Sequence, residues 1–219
     1  MNRYFFEVNR AFDELLLKPI AEIYHGALPQ GVQDSIRNFF RNFDAPRTFI
    51  HDLAQGEVDR AGQTFGRFTT NTLVGVGGLF DVAAGDNPGG KGGIPYHHED
   101  LGQTLAVWGV APGPYLFLPL LGPSNPRDLA GRVGDMFLNP LGYGAMDKDT
   151  YNTLVLLDLT LGGIDTRARL LQSLSDVETS SIDLYATIRS LYRQRRQMEI
   201  SNGRQSHAAS EPNISLDEE

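Results

Sequence analysis

Apolar residues recur at helical spacing along most of the chain. Phe5, Val8, Phe12 and Leu15-Leu16 follow one another at intervals of three and four, with Glu7, Arg10, Asp13 and Glu14 between them. That period predicts an amphipathic helix, and Pro19 is expected to end or kink it. Val32, Ile36, Phe39-Phe40 and Phe43 repeat the pattern over about 30–43. Asp44-Ala45-Pro46 is expected to break that helix and leave a short one over about 47–54. A further helix is expected over about 57–72, with Val58, Ala61, Phe65 and Phe68 on one face. Residues 69–80 then carry no charge and contain Gly75, Gly77 and Gly78, which suits either a close helix contact or a turn. Residues 84–96 read as a glycine-rich loop.

The second half starts from cap signals. Asp100 can cap a helix reaching about Val110, and Asn125-Pro126 reads as N-cap and N1 of a helix to about Leu138. Residues 101–126 hold no charged residue, but Pro112, Pro114, Pro119, Pro123 and Pro126 interrupt the stretch. Proline removes a donor and obstructs a helix, so this segment cannot span a bilayer as a simple helix. Non-helical backbone survives in hydrocarbon only if protein buries it or it lines a wet cavity. A short extended pair is the strand signal here, near 115–121. Asp147 or Asp149 opens a longer helix with Gly162-Gly163 as a candidate interruption. Residues 166–174 are again helical, and a last helix over about 181–200 places Ile182, Tyr185, Ile188 and Tyr192 on one face. The class is all-α, with a hairpin-like extended loop near 111–123.

The 219 residues suit one helical domain over 1–200, followed by a polar, acidic tail at 201–219 expected to be disordered. The formal net charge of −8 argues against a nucleic-acid binder, which needs a basic face. The run Arg193, Arg195 and Arg196 is expected on a solvated helix face. The chain has no cysteine, hence no disulfide and no cysteine-bound metal. It opens on Met1-Asn2-Arg3 and an amphipathic segment, without the apolar run of a secretory signal.

Catalytic and metal signals are weak. His97-His98-Glu99-Asp100 lacks metal-ligand spacing and reads better as a helix start, and His25, His51 and His207 are scattered. Lys91 precedes Gly92 rather than Ser or Thr, so the glycine-rich loop is not a phosphate-binding P-loop. No G-x-S-x-G elbow occurs. No cofactor is expected. Lone charges in apolar surroundings are more telling: Arg67, Asp81, Asp100, Arg127, Asp128 and Asp135. Buried ions must be paired, so these are expected to pair across helices and fix the architecture; the competing reading puts some of them in a polar passage.

Several ordered blocks resemble the MlaA (VacJ) family of lipoproteins. They are Asn2-Arg3-Tyr4-Phe5-Phe6 with Asn9; Asn38-Phe39-Phe40-Arg41-Asn42; Arg67-Phe68-Thr69-Thr70-Asn71 leading to Gly78-Leu79-Phe80-Asp81; Glu99-Asp100-Leu101-Gly102-Gln103-Thr104; Gly113-Pro114-Tyr115 through Pro123-Ser124, closed by Arg127-Asp128; and Thr166-Arg167-Ala168-Arg169 with Ser181-Ile182-Asp183-Leu184-Tyr185. They cover about 2–200. The resemblance implies a ring of amphipathic helices sunk in the periplasmic leaflet of the outer membrane. It implies a central, partly polar passage by which phospholipid leaves the outer leaflet. It also implies a soluble periplasmic lipid carrier and a trimeric porin as partners, and a signal peptide with a lipidated cysteine, neither of which occurs in this sequence. It places a loop beside the passage at Gly113, Pro114, Tyr115, Leu116, Phe117, Leu118, Pro119, Leu120 and Gly122. It makes Arg67, Asn71, Asp81, Asp100, Gln103, Arg127 and Asp128 the structural motif residues. No bond is expected to be made or broken. The alternatives are a peripheral scaffold that conducts no lipid itself, and a lipid hydrolase, which lacks a recognisable nucleophile.

Overall fold

A computed structural model describes residues 1–85 and 93–202. The glycine-rich segment 86–92 and the expected disorder of the acidic tail beyond 202 lie outside the described residues. Helices dominate the described residues, joined by turns and irregular segments, and the strands among them form one small hairpin. Helices α1 (Asn2–Phe12) and α2 (Lys18–Ala27) are joined by a π-helical turn, Asp13–Leu17. Pro19 therefore does not end the first helix. The wider turn absorbs the hydrogen bond that proline cannot make.

α3 (Gln30–Ala54) likewise runs through Pro46, where a break was expected. Its two halves pack along α4 (Val58–Leu73), and that contact outweighs one missing backbone bond. The small residues after α4 form a turn, in which Val76, Gly77 and Gly78 take positive φ. A Cβ on Gly78 would stand 2.5 Å from the Asn42 side chain, so glycine is required there on two counts. α5 (Leu101–Val107) and α6 (Pro126–Asp135) cross where Gly131 meets Gly102, and a Cβ on Gly131 would lie 2.4 Å from the Gly102 nitrogen. Between them, β1 (Leu116–Leu118) pairs antiparallel with β2 (Gly122–Ser124), Phe117 opposite Pro123.

α6 stops at Asp135, earlier than expected. α7 (Lys148–Leu157) is capped by Asp147, whose side chain accepts from the Thr150 amide. A second π-helical turn, Asp158–Gly162, carries it into α8 (Gly163–Arg169), so the glycine pair shifts the register rather than stopping the helix. α9 (Leu171–Ser180) and α10 (Leu184–Ile200) follow, the last capped by Asp183.

Contacts between elements make a closed circuit. α1 touches β1, and β2 touches α10. α10 touches α5, which touches α3. The π-turn at 158–162 packs on α3 and leads into α8, and α8 packs on α2, which returns to α1. Among the described residues, no single apolar core lies inside this circuit. Phe6, Tyr115, Phe117 and Tyr185 form one small cluster, and Ala21, Tyr24 and Ala168 form another. The largest fully buried side chains are His51, Gln103, Glu99, Thr104, Asp52 and Ser124, all polar. Large apolar residues meanwhile face outward, among them Leu73 at 83 % exposure, Phe137 at 66 % and Trp108 at 61 %. An ordinary water-soluble domain shows the reverse bias. Among the described residues, no helix is long and apolar enough to cross a membrane.

Candidate functional site

The hairpin is held from both sides. On α1, Asn2 and Asn9 are two turns apart and face the same way. The Asn2 amide donates to the Tyr115 carbonyl at 2.8 Å, and its oxygen accepts from the Phe117 amide at 3.2 Å. Asn9 repeats the grip on the Leu118 carbonyl and the Leu120 amide, both at 2.8 Å. The two carboxamides thus act on the hairpin edge as a neighbouring strand would. Between them Phe6 inserts edge-on against Phe117 and Tyr185, with ring centroids 5.4 and 5.7 Å apart.

This packing divides the predicted loop residues. Tyr115 and Phe117 point into the aromatic cluster and are buried, while Leu116, Leu118 and Gly122 are half-buried. Gly113, Pro114, Pro119 and Leu120 are exposed. Leu120 is 67 % exposed and sits at φ 62°, a conformation that branched side chains avoid, so the hairpin tip is strained and apolar. Beside the hairpin a pocket of about 350 Å³ opens between Pro112, Tyr115, Asn125, Tyr192, Arg193 and Arg196. The Tyr115 hydroxyl is buried with no protein partner, and burial pushes its pKa up to about 12.

Below the pocket lies a charged hub. Arg196 forks onto both oxygens of Asp100 at 2.7 Å and reaches Asp128 at 2.9 Å. Arg127 binds the other side of Asp128 at 3.0 Å, and the Tyr192 hydroxyl donates to it at 2.5 Å. Burial works against the Asp100 charge, but the Arg196 fork overrides it and holds the carboxyl well below the usual range. Asp128 is depressed against burial in the same way, by Arg196, Tyr192 and Arg127. Asp100 and Asn125 also cap α5 and α6, accepting from the amides of Gln103 and Asp128. The Gln103 amide group donates to the His98 carbonyl at 3.1 Å.

The expectation that Arg196 is solvated is therefore overturned. Residues 192 and 196 share the inward face of α10, whereas Arg193 and Arg195 are exposed. Arg67 and Asp81 pair as expected, at 2.6 Å, and Asn71 joins them by donating to Asp81 and accepting from the Ala83 amide.

Two further polar groups were not singled out. His51 bridges Thr104 at 3.0 Å and Asp135 at 2.9 Å, which ties α3 to α5 and α6. His97 sits on Asp52 and Thr64, both at 3.1 Å, with Arg60 and Glu99 completing that cluster. Thr104 is 1 % exposed, so the threonine–histidine–aspartate relay has no substrate access. Among the described residues no cluster suits a metal ion.

The family model for MlaA lipoproteins matches residues 1–199. The chain belongs to the MlaA lipoprotein family. It is 32 % identical over 213 residues to the intermembrane phospholipid transport system lipoprotein MlaA of Escherichia coli, covering 97 % of this chain and 80 % of that protein. An uncharacterized protein of Rickettsia felis is 36 % identical over 91 % of this chain and 75 % of its own length. A solved structure described as the structural basis for maintenance of bacterial outer membrane lipid asymmetry matches with a TM-score of 0.75 and 31 % identity, covering 91 % of this chain and 96 % of that one. The helical fold with its single short hairpin is that of the family.

Proposed function

We propose that the protein removes mislocalised phospholipid from the outer leaflet of the outer membrane, through a passage enclosed by its circuit of helices. The observation that carries this reading is the inverted burial: polar side chains fill the interior and large apolar ones face outward. Amphipathic helices lying in one leaflet bury an outward apolar stripe in acyl chains and need no spanning segment. A polar interior lowers the cost of moving a headgroup past hydrocarbon. Family membership adds relatives named for intermembrane phospholipid transport. The protein sits in the periplasmic leaflet, takes phospholipid as cargo, docks beside a trimeric porin and hands lipid to a soluble periplasmic carrier. No covalent step is involved.

The hairpin is the moving contact in this scheme. Its aromatic rings anchor it, and Pro119 and Leu120 at its free end, with the exposed Pro114 ahead of its first strand, touch lipid. The test is complementation of a strain lacking its own family member, with surface phospholipid measured by an outer-leaflet acylation reporter. Wild type restores an outer leaflet free of phospholipid. Leu120→Asp and Pro114→Ala fail to do so while folding normally. A variant pair that restores asymmetry as well as wild type overturns the role of the hairpin. A wild-type protein that binds membrane and porin yet leaves surface phospholipid unchanged makes this chain a scaffold instead.

A further inference from the structure

We infer that Arg41, in a cavity between α3 and α4, is an anion site that takes a phosphate group. The cavity shares no lining residue with the hairpin pocket. It gives the centre of a water-sized sphere about 20 Å³. A roughly spherical space of that size admits a body about 3 Å in radius, which is the scale of a phosphate group.

The charges lining it do not balance. Arg67 is consumed by Asp81 and by the Ile94 carbonyl. His97 is held by Asp52. Arg41 has neither a carboxylate nor a hydrogen-bond acceptor among the described residues. Its guanidinium lies 4.3 Å from the centre of the Tyr96 ring, a contact that satisfies one face and leaves the N–H edge free. Asn38 lines the same cavity, also without a hydrogen-bond partner among the described residues, and offers a neutral amide donor.

Among the described residues, the other buried or half-buried arginines of the interior each have an acid: Arg37 has Asp34 and Asp165, Arg47 has Asp44, Arg60 has Glu99, Arg67 has Asp81, Arg127 has Asp128, Arg167 has Asp13 and Arg196 has Asp100. Burial is the main influence weakening the Arg41 charge, and repulsion from Arg37 and Arg169 adds to it; Tyr96 and the more distant Asp81, already paired with Arg67, offset this only in part. An oxyanion arriving at the guanidinium edge restores the balance that the other arginines obtain internally. Arginine suits this task because its planar fork matches two phosphate oxygens. The same chemistry arrives either as a phospholipid headgroup or as free phosphate. The leaflet reading bears only on which source is used, not on whether the site binds.

The test uses the full chain in a neutral detergent, titrated with inorganic phosphate and, separately, with dihexanoyl-phosphatidylglycerol below its micelle concentration, followed by phosphorus NMR. Dihexanoylglycerol, which lacks the phosphate, is the blank. Arg41→Gln weakens binding about tenfold or more, the loss of one charge-assisted contact. Arg41→Lys keeps the charge but not the fork and falls between the two, which decides the matter if the glutamine variant folds poorly. Loss on the lipid arm alone identifies a headgroup, loss on the phosphate arm alone a free anion, and loss on both a site indifferent to the source. No binding by the wild type to either probe overturns the site, as does binding by both variants equal to wild type. Lipid passage in cells is a separate readout. Binding that survives a failed passage test leaves this site standing and removes only the transport reading.

Discussion

The hub around Arg196 and the cluster around Phe117 sit side by side and both hold α10 in place, but by opposite means. The hub is a half-buried arginine between two carboxylates, half-buried Asp100 and buried Asp128. The cluster is four aromatic rings packed edge to face with no charge among them. For a protein that keeps apolar surface outside, the difference is instructive. Aromatic contact gives little preference for inside over outside when the outside is itself hydrocarbon. A bidentate ion pair has one low-energy arrangement and cannot be satisfied by lipid tails. The hub therefore specifies where α10 docks, and the rings shape the hairpin resting on it.

The two means separate most strongly under substitution. Arg196→Ala leaves Asp100 without its cation and Asp128 with Arg127 alone, and costs about 4 kcal/mol in denaturant unfolding. Its cost depends on pH. Asp100 and Asp128 have folded pKa values below their unfolded ones, so the hub's contribution is complete above about pH 4 and fades as pH falls through the depressed values. The gap between wild type and Arg196→Ala accordingly narrows below about pH 4. Phe117→Ala costs about 3 kcal/mol by cavity formation, with no such pH dependence. If both gaps closed alike on acidification, the contrast between the two regions would fail.

Gly131→Ala sharpens the comparison from the backbone side. Its methyl group meets the Gly102 nitrogen, pushes α5 from α6, and pulls Asp100 from Asp128. A loss of about 2 kcal/mol is expected, visible as a lower melting temperature. The smallest effect belongs to Asp158, a half-buried acid without a forked arginine among the described residues. Arg47 is nearby but is paired with Asp44 at 2.9 Å. Burial, with repulsion from Asp44, raises the Asp158 pKa to about 6. Here the folded value exceeds the unfolded one, so ionisation destabilises the fold, fully above about pH 6 and not at all below about pH 4. Asp158→Asn should add about 1 kcal/mol at pH 8, after allowance for partial exposure, and nothing at pH 4. A flat difference across that range would show that Asp158 is well solvated.

Local signals were legible in the sequence, and distant pairings were not. Asp100 and Asn125-Pro126 announced their helices because capping is a matter of three or four adjacent residues. Arg67 and Asp81, near in sequence, were expected to pair and do. The partner of Asp100 is 96 residues away, inside a basic run that looks solvated until α10 is placed against α5. The Asn2 and Asn9 grip was equally hidden, because a carboxamide acting as a substitute strand needs the strand's location first. Pro19 and Pro46 misled for the opposite reason. The rule that proline breaks helices is local, and here a π-turn and a long helical contact override it. His51 was passed over as a scattered residue, since neither Thr104 nor Asp135 is near it in the chain.

Closure of the circuit has a consequence for biogenesis. The first helix meets residues made much later, as Asn2 does with Tyr115 and Arg3 with Asp183. The last of these joints, α10 on α5 and β2, waits for residues 184–200. Until then the nascent polypeptide is an open arc, sticky on its rim and with Asp100 and Asp128 still lacking Arg196. Such late, long-range assembly is slow, and an escort that shields the arc until its ends meet would shorten the vulnerable interval.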